Sequence, residues 1–370
     1  MVTLTRDVMI TLNKDATNKD TVIPARRRLS FRLAYLLIAT VVILLMVEGA
    51  TRVLKLAPPL VTQYQGYVTD PVLPHKPRPL STVTGRSVSD EFDFEHKHNS
   101  LGFRDVEHTL AKPDGVFRIL GLGSSFTYGV GASFDVTSLS VLEKQLDARS
   151  GDHPKIEIIK AGIPNFAPEA QRLLLEHYGS QFEPDLILVD FSPAIVVDVF
   201  FGSQAIRVSK LGYLTTREAA ELGEAAIWLY VHSHAARILL RKYVRHETGK
   251  GCKHDWSEVY KPNGLHERDW QKVESQYQQM VEFATRSDAG IAFVHIPAAG
   301  YCEARYSYPA QRLARWCAER NVPFVDTLPA MEVASAEQRV YWEEGHCTPA
   351  GYRVIAETVC RALGEGRLVP

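Results

Sequence analysis

The chain has 370 residues, a formal net charge of -1 and an apolar fraction of 45%. That length allows one large domain with additions, and the near-zero charge excludes the electrostatic footprint of a nucleic-acid binder. The five cysteines are odd in number and form no C-x-x-C pair, which excludes a disulfide scaffold and argues against a zinc knuckle.

Residues 1–24 are polar without a period and read as a tail with no core of its own. Arg26, Arg27, Arg28 and Arg32 follow, and Leu33–Val47 carries no charge. The stretch 29–50 reaches the ~20 residues that a membrane span needs if Arg32 snorkels to the interface. A signal peptide competes, since its apolar region runs ~7–15 residues, but the long tail and the lack of a clean A-x-A site favour an uncleaved anchor. The basic cluster before the span puts 1–28 in the cytoplasm and the rest outside. The expectation is a single-pass protein of the inner (cytoplasmic) membrane with a periplasmic or extracellular domain.

Ala57–Pro79 is rich in proline and has no periodicity. Asp90–Arg104 alternates polar and aromatic residues and reads as an added edge strand. Together 57–112 are expected to form a stalk and a small covering segment. From Phe117 the pattern changes. Apolar runs at Phe117–Leu122, Ile156–Ile159, Leu186–Phe191, Ile291–Ile296 and Pro323–Val325 alternate with helical periods around Leu139–Leu146, Ala170–Tyr178, Val273–Val281 and Leu313–Cys317. Strands alternating with helices imply a parallel sheet covered on both faces. The fold class is α/β, a flavodoxin-like doubly wound parallel sheet over 113–370. The rhythm fails over about 200–268, where Arg217–Val244 reads as one or two helices. Their Trp228, Leu229, Val231, Ile238 and Leu239 form a packing surface or, on a sharper reading, part of a substrate cover. Arg241–His254 is basic and reads as a solvated surface or a face toward anionic lipid.

The stretch Phe117–Gly131 concentrates the chemistry. An apolar run breaks into glycines, so a buried strand ends in a tight turn with Ser125 at the start of a helix. A dinucleotide loop fails because Phe126 stands at the third glycine position, and a phosphate loop fails for want of lysine. A nucleophile elbow is half present, with Thr127 in place of its last glycine.

Gly123-Ser124-Ser125-Phe126-Thr127-Tyr128-Gly129 resembles block I, G-D-S-F-T-F-G, of the SGNH (GDSL-type) hydrolases. Further marks of the family's membrane-anchored bacterial branch are Asn99-Ser100-Leu101-Gly102-Phe103-Arg104-Asp105, Lys160-Ala161-Gly162-Ile163-Pro164, Pro184-Asp185-Leu186-Ile187-Leu188, and Glu344-Gly345-His346 followed by Pro349-Ala350-Gly351. The likeness runs from about Asp70 to the C-terminus. It implies the SGNH hydrolase fold, with the upstream segment beside the catalytic face.

The resemblance makes Ser125 the nucleophile. A serine hydroxyl needs a base, and His346, before the helix start Thr348-Pro349, matches the family's histidine. Glu344 stands where the family has Asp, one methylene longer, and glutamate serves in some triads. Glu343 is the fallback acid, and Asp326 reads as a strand-end or capping residue. The family's oxyanion donors are the nucleophile's N–H, a glycine of block II and an asparagine of block III. Ser125 and Gly162 match the first two. Block III reads Phe191-Ser192-Pro193-Ala194-Ile195, so Ala194 stands at the asparagine position, and Asn165 is the amide that could replace it. Ser124 likewise replaces the Asp of block I. His295, inside a strand pattern, reads as a hydrogen-bonded core histidine. Outside the cytoplasm Cys302 and Cys347 could pair with each other or with Cys252.

These readings converge on a serine esterase or O-acyltransferase acting on acyl, foremost acetyl, esters, with an envelope carbohydrate as the substrate that the resemblance implies. No metal or organic cofactor is implied, and the only macromolecular partner expected is the membrane, through the N-terminal helix. The alternative, motivated by Ala194, is a catalytically degraded SGNH domain that binds glycan or a partner in an envelope assembly.

Overall fold

The computed structural model describes residues 25–57, 65–87, 89–149, 153–193, 196, 206–216, 223–240, 256–262, 264 and 266–370. The chain divides after Leu56 into two units. The first contains one helix, Ala25–Val53. Its Leu29–Val53 part is long and apolar enough to cross a membrane, a property that anchors and signal sequences share. The helix runs three residues past the expected end at Ala50.

The second unit is built on five parallel strands: β1 Val116–Gly123, β2 Lys155–Gly162, β3 Leu186–Phe191, β4 Gly290–His295 and β5 Phe324–Asp326. Their spatial order is β2-β1-β3-β4-β5, the flavodoxin-like doubly wound order. All five apolar runs are strands. Successive residues of a strand point to opposite faces, so each face has its own core. Leu120, Leu122, Ile187, Val189 and Phe293 pack on one side. Ile119, Ile158, Leu186, Leu188 and Val294 pack on the other. Among the described residues six helices cover these faces: α1 Ser138–Asp147, α2 Pro168–His177, α3 Glu267–Arg286, α4 Tyr308–Ala318, α5 Leu328–Glu337 and α6 Pro349–Glu365. Buried residues of α2, α3 and α4 join the first core, and those of α1, α5 and α6 join the second.

The covering segment departs from expectation. Thr82–Arg86 and Asp93–Lys97 form their own antiparallel hairpin and add no strand to the central sheet. The edge of β2 is instead blocked by an ion network. Asp105 accepts from the Lys160 backbone N–H at 2.8 Å and pairs with its ammonium, which also reaches Glu143 at 2.8 Å. His108 bridges Asp105 and Glu157, and its imidazole is raised: the two carboxylates outweigh its burial. Charges placed along an exposed strand edge prevent it from pairing with another chain.

The insertion also differs in part. Helices lie at Glu224–His232 and 234–240, preceded by a hairpin, Ile206–Val208 with Leu214–Thr216, that was not read from the sequence. Ile227 is buried, but Trp228, Leu229 and Leu239 are exposed, so those three are not core. Arg217 and the basic stretch 241–254 lie outside the described residues.

Arg118 is the test of the network. Its side chain, wholly buried in β1, donates to Glu157 at 2.6 Å and to the carbonyls of Phe182 and Leu110 at 2.8 and 2.9 Å. Removing it would leave Glu157 with His108 alone and take the donor from the Phe182 and Leu110 carbonyls, and breaking a buried pair costs ~3–5 kcal/mol. Arg118→Ala is therefore expected to lower the unfolding free energy by roughly 3 kcal/mol or more in urea titrations followed by tryptophan fluorescence. A loss below ~1 kcal/mol contradicts this account.

Candidate active site

The site begins where β1 ends. Gly123 pairs with Gly162 across β1 and β2, and the chain then makes a single helical turn, Ser125–Tyr128, closed by Gly129 with φ 82°. The turn lies so close to the sheet that side chains are excluded beneath it. A Cβ on Gly162 would stand 2.3 Å from the Tyr128 nitrogen, and one on Gly123 would overlap Thr127 and Asp190.

Asp190, near the end of β3, holds this turn. Its carboxylate accepts from the backbone N–H of Ser124 and of Thr127 at 3.2 Å, and from the Thr127 hydroxyl. Burial pushes its pKa up to about 6, against the lowering effect of those hydrogen bonds. Sequence reasoning missed Asp190. The available signal was an acid inside a strand buried on both faces, which needs partners there.

The covering segment holds the far end of the turn. Asn99 accepts from the N–H groups of Leu101 and Phe103 and donates to Val106, which shapes the loop that carries Arg104. The buried Arg104 guanidinium donates to the carbonyls of Gly129 at 2.7 Å, Ala132 at 2.8 Å and Tyr128 at 3.1 Å. These bonds give the Asn99–Asp105 motif its work in this molecule.

His346 comes from the loop before α6. The loop is a closed ring of backbone bonds: Trp342 N–H to the His346 carbonyl, Gly345 N–H to the Trp342 carbonyl, and Thr348 N–H to the Val340 carbonyl. Gly345 has φ 102°, where a side chain would be strained. Thr348 caps α6 by accepting from Gly351. The covering hairpin grips the same loop: Glu91 accepts from the Glu343 N–H at 2.8 Å and pairs with Arg339, and Phe92 packs on Trp342. Trp342 in turn donates to the Gly131 carbonyl.

The structure brings Ser125, His346 and Glu344 into one line. His346 Nε2 lies 2.8 Å from Ser125 Oγ, and His346 Nδ1 lies 2.7 Å from Glu344 Oε1. An ionised carboxylate only accepts, so beside it Nδ1 carries the proton and Nε2 is left to accept from the hydroxyl. Glu343 is exposed and meets Glu91 through its backbone, away from His346. Asp326 is elsewhere: it bonds His295 Nδ1 at 2.7 Å and caps Leu328, so His295 is the hydrogen-bonded core histidine that its strand position suggested. Cys302 and Cys347 are buried free thiols. Ala194 and Cys252 lie outside the described residues.

Ser125 and His346 open into a pocket walled by His96, Tyr128, Val130, Pro164 and Asn165. Asn165 is exposed and takes the left-handed conformation at φ 64°. Ile163 gives its N–H to the Gly123 carbonyl. Gly162 is buried directly beneath the turn and is not among the residues that wall the pocket. Among the described residues no cluster of three or more His, Cys, Asp or Glu could hold a metal.

Fold and site together define a class: a doubly wound α/β protein carrying a Ser–His–Glu arrangement at the carboxyl edge of its sheet. No family model matches the chain, and neither does any curated protein. Among solved structures it is similar to a lipolytic protein of the G-D-S-L family from Desulfitobacterium hafniense DCB-2, with TM-score 0.40, 11% identity and coverage of 67% of this chain and 99% of that one. It is similar to a catalytic mutant of Axe2, an acetylxylan esterase from Geobacillus stearothermophilus, with TM-score 0.39, 15% identity and coverage of 67% and 94%. A third is TesA, with TM-score 0.41, 12% identity and coverage of 67% and 98%.

Two outcomes test this geometry. Gly162→Ala is expected to unfold the protein at markedly lower temperature, because its Cβ would meet backbone rather than a movable side chain. Asp190 has a folded pKa of about 6, above its ordinary 3.8, so the folded state binds the extra proton between these values. Its contribution is fully present below about pH 4 and lost as pH rises through 6, by about 3 kcal/mol at 1.36 kcal/mol per unit. Relative to Asp190→Asn, wild-type stability from denaturant titrations should therefore fall between pH 4 and 7. A pH-independent difference contradicts the assignment.

Proposed function

We propose that this chain is a membrane-anchored SGNH-type serine esterase or O-acyltransferase. The observation that carries the reading is the hydrogen-bonded line from Ser125 through His346 to Glu344. The residues supply each step of acyl transfer. His346 Nε2 takes the Ser125 proton as Oγ attacks the ester carbonyl, and Glu344 stabilises the resulting imidazolium and holds its tautomer. The carbonyl oxygen becomes an oxyanion in reach of the Ser125 and Gly162 backbone N–H groups, with the Asn165 amide as the side-chain donor that the sequence suggests. Collapse of the tetrahedral intermediate breaks the ester bond, and His346 returns its proton to the departing alcohol. Water or a second hydroxyl then repeats the sequence on the acyl-enzyme, giving hydrolysis or transfer.

The acyl group is proposed to be acetyl and the alcohol part an envelope carbohydrate, on the strength of the resemblance in the sequence motifs. The anchor proposed is the helix over Leu29–Val53, with the arginines before it inside the cytoplasm and the catalytic unit outside.

A fluorophosphonate probe tests the chemistry, because it labels only an activated serine. Wild type should be labelled and Ser125→Ala should not. Ser125→Ala and His346→Ala should each cut turnover of an aryl acetate by orders of magnitude, since triad members act as a unit. Glu344→Gln should cost clearly less. A His346→Ala variant with wild-type turnover rejects the base, and an unlabelled wild type favours the glycan- or partner-binding alternative. For topology, a reporter fused after Pro370 should be active only outside the cytoplasm. Cytoplasmic activity overturns the orientation.

A further inference from the structure

Three histidines of the covering segment are buried around the pocket. His75 Nε2 lies 2.8 Å from the Pro164 carbonyl, to which it donates. His98 lies between the Ser81 hydroxyl at 3.0 Å and the Tyr128 hydroxyl at 2.8 Å. His96 differs from both. Neither of its ring nitrogens has a hydrogen-bond partner among the described residues, and Nε2 is sealed from solvent, so Nδ1 is the nitrogen that a molecule in the pocket can meet. The residue is 3% exposed, yet it forms part of the wall that faces Ser125 and His346.

Its ring cannot swing away to find a partner. It stacks on Phe94 with centroids 4.7 Å apart and meets the Tyr128 ring edge-on at 4.9 Å. An imidazole stripped of water and left unbonded is costly, and a phenyl ring would fill the same space without that cost. The cost is recovered when a molecule in the pocket bonds the ring.

The chemistry of the pocket says which atom that is. Burial first, then the nearby Arg104 and His98, hold the His96 imidazole well below its ordinary pKa. The ring is therefore neutral and carries one N–H. Attack by Ser125 places a negative charge on the carbonyl oxygen of the ester, and that oxygen needs preorganised donors. The other polar groups on the wall are less suited. The Tyr128 hydroxyl is engaged with His98, and the exposed Asn165 amide is already solvated, so water can stand in for it.

We infer that His96 is a catalytic residue that donates its Nδ1–H to the carbonyl oxygen of the bound acyl ester, completing an oxyanion hole whose backbone donors are Ser125 and Gly162. The inference rests on the esterase reading and replaces Asn165 as its side-chain donor. The donor thus comes from the covering hairpin, outside the strand-and-helix unit that carries the nucleophile.

Steady-state kinetics of the full-length protein on an aryl acetate, alongside fluorophosphonate labelling, test it. His96→Phe keeps the ring shape and removes both nitrogens. Its kcat should fall by about 10²–10³, the size seen when one oxyanion donor is removed, while KM stays within a few-fold. Its thermal midpoint should equal or exceed that of wild type, because two unbonded polar atoms leave the interior. His96→Gln returns an amide N–H and should recover part of the lost kcat, and Asn165→Ala should lower kcat less than His96→Phe does. The inference is overturned if His96→Phe keeps wild-type kcat, if it raises KM alone, or if the large loss falls on Asn165→Ala instead. A wild type that is neither labelled nor active removes the esterase reading and this inference with it. A labelled, active wild type beside an equally active His96→Phe removes this inference only.

Discussion

The turn that carries Ser125 is held by a carboxylate lying beneath it. Asp190 collects the N–H groups of Ser124 and Thr127 and the Thr127 hydroxyl from beneath, while Gly123 and Gly162 leave the space that lets the turn lie on the sheet. An acid buried there is tolerated because three donors of the turn and, at 3.4 Å, the Gln171 amide converge on it, and the turn's donors converge because the turn is so close. Each feature requires the other. Loss of the carboxylate would leave backbone donors orphaned in the core, and a side chain at either glycine would lift the turn off them. The position of Ser125 Oγ is thus set from below, by atoms beneath the turn.

The second dependence runs through the covering segment. Ser125 and His346 are separated by more than two hundred residues, and each is braced by the same upstream hairpin and loop. Arg104 fixes the carbonyls behind Ser125, and Glu91 with Phe92 fixes the loop behind His346. Catalytic geometry tolerates errors of only a fraction of an ångström. A sheet and its helices position the two loops approximately, and a shared brace across both removes the remaining freedom.

This division explains what was legible in the sequence. Strands buried on both faces write themselves as apolar runs, so the five strands and their helices could be read from pattern. The helix α5 could not, because its Leu328, Met331 and Ala334 are buried among other apolar residues without a polar face to mark a period. The strand expected over Asp90–Arg104 became a separate hairpin because Asp105 and His108 occupy the edge that it would have joined. The turn around Ser125 and the loop around His346 were readable as motifs. Asp190, Glu91 and Arg104 acquire their roles only through contacts distant in sequence, and no local spacing announces such contacts. The one signal was the lone acid in Leu186–Phe191, since burial of an unpartnered charge is too costly to be incidental.

The histidines around the pocket show how one residue type is kept to separate tasks. His75 and His98 are lowered to about 4, and His96 is lowered well below its ordinary value, in each case foremost by burial. None of the three has a carboxylate against its ring among the described contacts, so for them a proton would bring charge into an apolar wall with nothing to offset it. Arg104, close to His96 and His98, adds to that cost. His346 is placed differently: it is less buried, has Glu344 on one nitrogen and has the serine hydroxyl on the other. It alone in this group has a carboxylate on its ring among the described contacts. The pocket thus keeps its carboxylate–imidazole pair at the Ser125 hydroxyl, while the rings around it stand against hydroxyls, a carbonyl and aromatic faces instead.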